Sequence, residues 1–164
     1  MTFKDFIRKL VPTVFLNLNR DRKKKNRNQV LLDQKSRGGS ITKEDLIENL
    51  KDIGIVNGDT LLVHSALSRI GHLKNGPSTL IDALLEVIGE EGNLLMPTSP
   101  NNVYQLNYIQ NTPYFDVLNS PSKTGAVTES FRTRKGVVRS LHPTEPVSAF
   151  GPKAQYFIKD PRKS

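Results

Sequence analysis

Three short segments hold side chains whose types and spacing could do chemistry. The first is His64-Ser65-Ala66-Leu67-Ser68-Arg69-Ile70-Gly71. An imidazole, two hydroxyls and a glycine within eight residues can form a ligand cradle with the backbone amides. The same residues also suit a strand-end histidine bonded to backbone, with Ser65 capping a helical turn. The second is Pro121-Ser122-Lys123-Thr124-Gly125, a hydroxyl-rich turn leading into a helix. The free N–H groups of a helix start suit a phosphate, and equally an ordinary cap. The third is Arg139-Ser140-Leu141-His142-Pro143-Thr144-Glu145. Pro143 holds His142 in an extended conformation. A neutral imidazole there can act as a general base or be structural.

Several other chemistries lose their footing. The chain has no cysteine, which removes disulfides, thiolate zinc sites and cysteine nucleophiles. His64, His72 and His142 are too far apart to form a paired metal-ligand motif. There is no phosphate-binding glycine loop of the P-loop or dinucleotide pattern, and no G-x-S-x-G elbow.

Regular elements must position these segments. Thr42 followed by Asp45 has the pattern of a capping box, and Leu46, Ile47, Leu50 and Ile53 supply the apolar face of a helix that Gly54 stops. Thr60-Leu61-Leu62-Val63-His64 is a short, nearly all-apolar run, as expected of a strand covered on both faces. Ser65 to Lys74 reads as a loop or short helix. Asn75-Gly76-Pro77-Ser78 opens a helix that Gly89 closes, and Leu94-Leu95-Met96 is a buried strand ended by Pro97. Another helix starts at Thr124-Gly125-Ala126, and Val137-Val138 and Val147–Phe150 are strand candidates. The alternation predicts an α/β domain with a mostly parallel sheet and flanking helices. Between Thr98 and Pro121 the chain is polar and irregular, the mark of a functional loop. Tyr104, Tyr108, Tyr114 and Phe115 argue against disorder there. The three segments fall at the ends of these elements, where open α/β sheets bind ligands.

The charge is divided unevenly over the 164 residues. The net +8 lies in residues 1–40, which hold 11 Lys and Arg against 3 Asp and Glu; residues 41–164 hold 13 of each sign. The boundary falls at Ser36–Ser40. Residues 1–40 form a basic arm and linker, and 41–164 a neutral domain. In the arm, Phe3, Phe6, Ile7, Leu10, Val11, Val14, Phe15 and Leu18 have helical spacing, interrupted at Pro12, and a basic run from Arg20 to Arg27 follows. Residues 1–35 therefore read either as an amphipathic anchor on an anionic membrane surface or as a helix packed on its own domain or on a partner. The apolar stretch is too short to span a bilayer and lacks a cleavable-signal pattern. Nucleic acid is not the expected partner, because the basic residues lie off the domain.

Together the three segments and their neighbours resemble the N-terminal portion of the aminoglycoside 3-N-acetyltransferase family, from Ile41 to about Asp160. The resemblance is carried in order by Ile41-Thr42-Lys43-Glu44-Asp45-Leu46, Gly58 to Ser68, Ile81-Asp82-Ala83-Leu84-Leu85-Glu86 and Leu95-Met96-Pro97-Thr98. It continues through Phe115-Asp116, Pro121 to Ala126, Val138 to Thr144 and Gly151-Pro152-Lys153-Ala154. It implies a cytoplasmic, acetyl-CoA-dependent enzyme that acetylates an amine of an aminoglycoside or other amino sugar. His64, Ser65, Leu67, Ile70 and Gly71 would line the pantetheine and pyrophosphate path, with Lys123, Thr124 and Gly125 beside the cofactor. Arg139, Ser140 and His142 would approach the thioester or the acceptor amine, with His142 the catalytic base, and Asp116 would attract the cationic acceptor. The family pattern has a second histidine and a serine where this chain has Glu145 and Pro146. It also continues past Ser164, so the expected domain is incomplete at its C-terminus and the chain by itself inactive. The competing expectation is a non-catalytic module that binds a membrane surface or a partner through its arm.

Overall fold

The computed structural model describes residues 39–159, together with Lys25, Asn26 and Gln29, which are helical. The chain divides into two units, Met1–Ser40 and Ile41–Ser164. The amphipathic pattern of the arm, its basic run apart from Lys25, and the tail from Asp160 lie outside the described residues.

The second unit begins with α1 (Lys43–Asp52), opened by a capping box. The Asp45 N–H donates to Thr42 Oγ1 at 3.2 Å and the Thr42 N–H to Asp45 Oδ2 at 2.8 Å. The Thr42 N–H first, then the Thr42 hydroxyl, which donates to Asp45 Oδ2 at 2.9 Å, hold the Asp45 carboxyl below its usual range. Strand β1 (Thr60–Leu62), the one-turn α2 (Leu67–Ile70), α3 (Pro77–Ile88) and β2 (Asn93–Pro97) follow. Pro77 stands at the first turn of α3, where its missing N–H costs no bond. Next come α4 (Gln105–Asn111), α5 (Ala126–Arg132), β3 (Val138–Arg139), β4 (Val147–Phe150) and α6 (Ala154–Phe157).

The fold is α/β, with helices flanking a four-stranded sheet of order β1-β2-β4-β3. The expected strand directions need correction. Only β1 and β2 are parallel, with Leu61 opposite Leu94; β4 runs antiparallel to both β2 and β3. The reason is connection length. Helix α3 carries the crossover that a parallel pair requires, whereas the short turn between Arg139 and Val147 can only reverse the chain.

Alternation along β2 feeds two cores. Leu94 and Met96 join Ile81, Leu84, Ile88, Val127 and Phe131 under α3 and α5, while Leu95 faces Ala149 and Ala154. Helix α3 packs against both α1 and α5. Strand β1 is an edge strand rather than a covered one, and Leu62 is 60% exposed. Ile53 caps the C-terminal end of α1 and is exposed, off the apolar face expected to hold it. Buried Asn93 ties the sheet to its surroundings: Nδ2 donates to Thr60 Oγ1 at 3.2 Å, and Oδ1 accepts the Lys153 N–H at 2.8 Å. Gly151 makes that approach possible. Its φ is +121°, and a Cβ there would lie 2.3 Å from the Gly92 carbonyl oxygen.

Candidate active site

The parallel strands β1 and β2 place their carboxyl ends on one edge of the sheet. Because β4 is reversed, its amino end meets them there, as does the end of β3 at Arg139. The three segments converge on this edge. The Val63 N–H donates to Leu95 O at 2.9 Å, which brings His64 and Ser65 alongside the end of β2. From the second segment, the Lys123 N–H donates to Ser99 O at 2.8 Å and Thr124 Oγ1 to Pro97 O at 3.0 Å. From the third, Thr144 O accepts Ser99 Oγ at 2.6 Å and Asn101 Nδ2 at 3.1 Å, and Pro146 O accepts the Thr98 N–H at 2.8 Å.

Two openings flank this edge. A groove of about 550 Å³ beside β1 is lined by His64, Ser65, Arg69 and Ile70 against Leu61 and Leu80. Leu67 and Ile70 also pack against the core, and Gly71 makes the turn that ends α2 with φ +116°. The Ser65 hydroxyl oxygen is shielded from solvent and has no hydrogen-bond partner, an orphan among the described residues. The second opening is a cleft of about 640 Å³, walled by Ile109, Leu141, Phe157 and Ile158. Ser140, His142, Glu145 and Lys159 supply its polar groups. Of the residues expected to act on ligands, His64, Ser65 and Ile70 line the groove and Ser140 and His142 the cleft, whereas Lys123, Thr124, Arg139 and Asp116 line neither.

Several expected ligand groups have structural duties instead. Arg139 turns inward and is 9% exposed. Its Nη1 donates to Ser120 O at 2.5 Å and Val117 O at 3.3 Å, its Nη2 donates to Thr98 O, and its guanidinium lies 4.9 Å from the Phe115 ring centroid. Burial, then the nearby Arg132, pulls its pKa down to about 10, so the cation persists at neutral pH. Ser140 closes the β3–β4 turn: its Oγ accepts the Val147 N–H at 3.0 Å. Asp116 caps its own turn, accepting from Asn119 Nδ2 and from the Leu118 and Asn119 N–H groups, each at 2.9 Å. The Asn119 side chain first, then these backbone donors, hold its carboxyl below the usual range.

The hydroxyl oxygens of Ser122, Thr124 and Thr128 lie within 2.9 Å of one another. The Thr124 proton goes to Pro97 O and the Thr128 proton to Gly125 O, so the cluster supports the turn before it serves any ligand. Lys123 and Gly125 are exposed beside it, and a Cβ on Gly125 would meet nothing within 4 Å.

His142 is exposed at the cleft, and its Nδ1 accepts the Glu145 N–H at 3.0 Å. That bond assigns the neutral ring's proton to Nε2. The expected base would need a bare nitrogen facing the cleft, so in this arrangement His142 is a donor. No individual role was expected of Gln105, whose Nε2 donates to Glu145 Oε1 at 2.7 Å, or of Ser99, within the segment that the sequence marks as a functional loop. Their one visible signal was position, immediately after a strand that ends at Pro97.

A mixed α/β sheet with polar segments gathered at the carboxyl ends of its parallel strands defines a ligand-binding fold. Residues 62–163 match the model of the family described as aminoglycoside 3-N-acetyltransferase, and the chain belongs to that family. Aminoglycoside N(3)-acetyltransferase VIII of Streptomyces fradiae is 32% identical over 136 residues, covering 75% of this chain and 48% of that protein. The solved structure of aminoglycoside acetyltransferase AAC(3)-Xa has a TM-score of 0.69 at 31% identity, covering 83% of this chain and 51% of its own. AAC-IIIb, solved as a binary complex with CoASH, has a TM-score of 0.65 at 31% identity, covering 73% and 49%. The chain thus spans about half the length of the curated relatives it matches. Among the described residues no group of three or more His, Cys, Asp and Glu could hold a metal, and no helix is long and apolar enough to cross a membrane.

Proposed function

We propose that this chain forms part of an acetyl-CoA-dependent N-acetyltransferase that acetylates an amine of an aminoglycoside or other amino sugar. The observation that supports it most is the convergence of its three polar segments on the carboxyl edge of β1 and β2, between a groove and a cleft. The residues of the groove fit acetyl-CoA. Apolar walls suit the pantetheine arm, the orphan Ser65 hydroxyl suits its amides, and Arg69 suits a phosphate. His64, Ser65 and Ile70 would hold the arm, with Lys123 and Gly125 beside it. The bound thioester supplies the acetyl group as an electrophilic carbonyl.

The chain's own residues do the rest. Only a neutral amine is nucleophilic, so a base must first take a proton from the ammonium. His142 can take it at Nε2 only if its bond to Glu145 opens and the ring proton moves to Nδ1. With that bond intact it instead offers an N–H to a developing oxyanion. The enzyme works in the cytoplasm, and the charge of residues 1–35 supports a peripheral contact with an anionic membrane.

Calorimetry with acetyl-CoA tests the groove. Binding by the 164-residue chain is expected, weakened about tenfold by Arg69→Ala through loss of a charged contact. The absence of binding overturns the proposal. Free CoA thiol is expected to appear with an amino sugar when the chain is part of a protein of its relatives' length, and little or none from the chain alone. Sedimentation with anionic vesicles, lost on deleting residues 1–35, tests the membrane contact.

A further inference from the structure

One buried residue ties the second segment to the third. Ser99, 4% exposed, lies just past the end of β2. Its carbonyl oxygen accepts the Lys123 N–H at 2.8 Å, and its Oγ donates to Thr144 O at 2.6 Å. Asn101 Nδ2 brings a second donor to the same Thr144 oxygen at 3.1 Å, so both lone pairs of that carbonyl are engaged. The carbonyl belongs to the peptide unit that joins Thr144 to Glu145. The N–H of that unit donates to His142 Nδ1 at 3.0 Å.

A trans peptide unit is planar, and its C=O and N–H point in opposite directions. Donors that fix the oxygen therefore fix the direction of the N–H, and with it the imidazole. They also polarise the amide, which makes its N–H a stronger donor. A main-chain N–H can only donate, so Nδ1 must accept, and the neutral ring keeps its proton at Nε2. The Thr144 hydroxyl, 3.4 Å from Nδ1, can donate to the same nitrogen. A chain of bonds thus runs from the Ser99 hydroxyl through the 144–145 peptide to the ring that lines the cleft. We propose that Ser99 and Asn101 are positioning residues for His142: by clamping the Thr144 carbonyl they commit the ring to donating a hydrogen bond from Nε2. The inference rests on reading the chain as part of an acetyltransferase. Of the two roles open to His142 there, it selects the donor to a developing oxyanion over the base.

The test is nuclear magnetic resonance of the ¹⁵N-labelled 164-residue chain at alkaline pH, where imidazole rings are neutral. A scalar coupling across the hydrogen bond is expected between the Glu145 amide nitrogen and His142 Nδ1, and the ring should be protonated at Nε2. Ser99→Ala removes the hydroxyl and leaves the carbonyl that holds Lys123. It should abolish the coupling and let an Nδ1–H form appear, while the Lys123 amide stays protected from exchange. Ser99→Thr keeps a hydroxyl and should restore both ring signals. Asn101→Ala removes the longer of the two bonds, from a half-buried side chain, and should weaken the coupling. A serine that only stabilised the fold would leave the coupling and the ring proton in place in any folded variant. An Nδ1–H ring or no coupling in the unmodified chain, or a coupling unchanged by Ser99→Ala or by Asn101→Ala, would each overturn the proposal. If Ser99→Ala does not fold, Asn101→Ala decides. Acetyl-CoA binding is measured separately. Its absence, with the coupling present and sensitive to the variants, would count against the acetyltransferase reading alone.

Discussion

Arg139 holds the irregular segment between β2 and α5 against the sheet. Its fork reaches carbonyl oxygens at Thr98, Val117 and Ser120, and among the described residues no carboxylate bonds to it. Removing the guanidinium would orphan these carbonyls together. Arg139→Leu should therefore cost about 3 kcal/mol or more in urea unfolding. Faster hydrogen exchange at residues 115–120 should accompany it. Arg139→Lys should recover less than half of the loss, because a point charge cannot reproduce the fork. Glu129 gives a pH signature. Both its oxygens accept from Arg132, at 2.6 and 2.9 Å, and Oε2 also accepts the Ser122 N–H at 2.6 Å. Arg132 first, and that N–H after it, hold its carboxyl below the ordinary glutamate value of 4.5. The unfolded chain therefore binds more protons between the native and the ordinary value. The Glu129 contribution is complete above about 4.5 and is lost as pH falls through the lowered native value. Asp45 and Asp116 shift in the same direction. The urea midpoint should hold steady down to mildly acidic pH and fall below it, less steeply in Glu129→Gln.

Helix α5 positions the second segment, and Phe131, with no exposed surface, anchors it beneath α3. Phe131→Ala should destabilise the domain by about 3–5 kcal/mol, measured by thermal or urea unfolding. Gly151→Ala should cost stability by another route, since its new Cβ would collide with the Gly92 carbonyl at a left-handed φ. Elements with local signals are legible in the sequence. Thr42 with Asp45, Pro77 and Gly89 mark helix ends through bonds within a few residues, and Leu94 and Met96 mark a strand buried on both faces. Helix α4 is not legible, because its first turn has no side-chain cap and its apolar residues Leu106 and Ile109 face outward, 53% and 56% exposed. The place of β4 in the sheet is not legible either. The short turn from Arg139 to Val147 reverses it against β3, but its seat beside β2 depends on distant partners, such as Thr98 Oγ1 with Ser148 Oγ at 2.9 Å, across 50 residues. At the site, the sequence identified the polar segments but could not show which polar atoms the fold itself consumes. Arg139 and Thr124 look like ligand groups by type, yet they meet backbone partners that only the tertiary fold supplies.

At the scale of the whole molecule, the described surface carries apolar side chains of unusual size. Leu62 on the edge strand β1 is 60% exposed, and Tyr104, Tyr114 and Leu118 in the segment after β2 are each 74% exposed or more. An edge strand with an outward leucine invites pairing with another chain. The 164-residue protein should self-associate with rising concentration in sedimentation velocity. Leu62→Lys should reduce that association without lowering the melting temperature. The position of β4 has a further consequence, for the order in which the domain assembles. Among the described strands it comes last in the chain, yet it lies inside their sheet, between β2 and β3. Until residues 147–150 emerge, β2 has only β1 beside it and Leu95 has no Ala149 opposite. The carboxyl edge that gathers the three polar segments closes only then, so pulse-labelling during refolding should show Thr98 and Ser140 protected together, and later than the amides of α3.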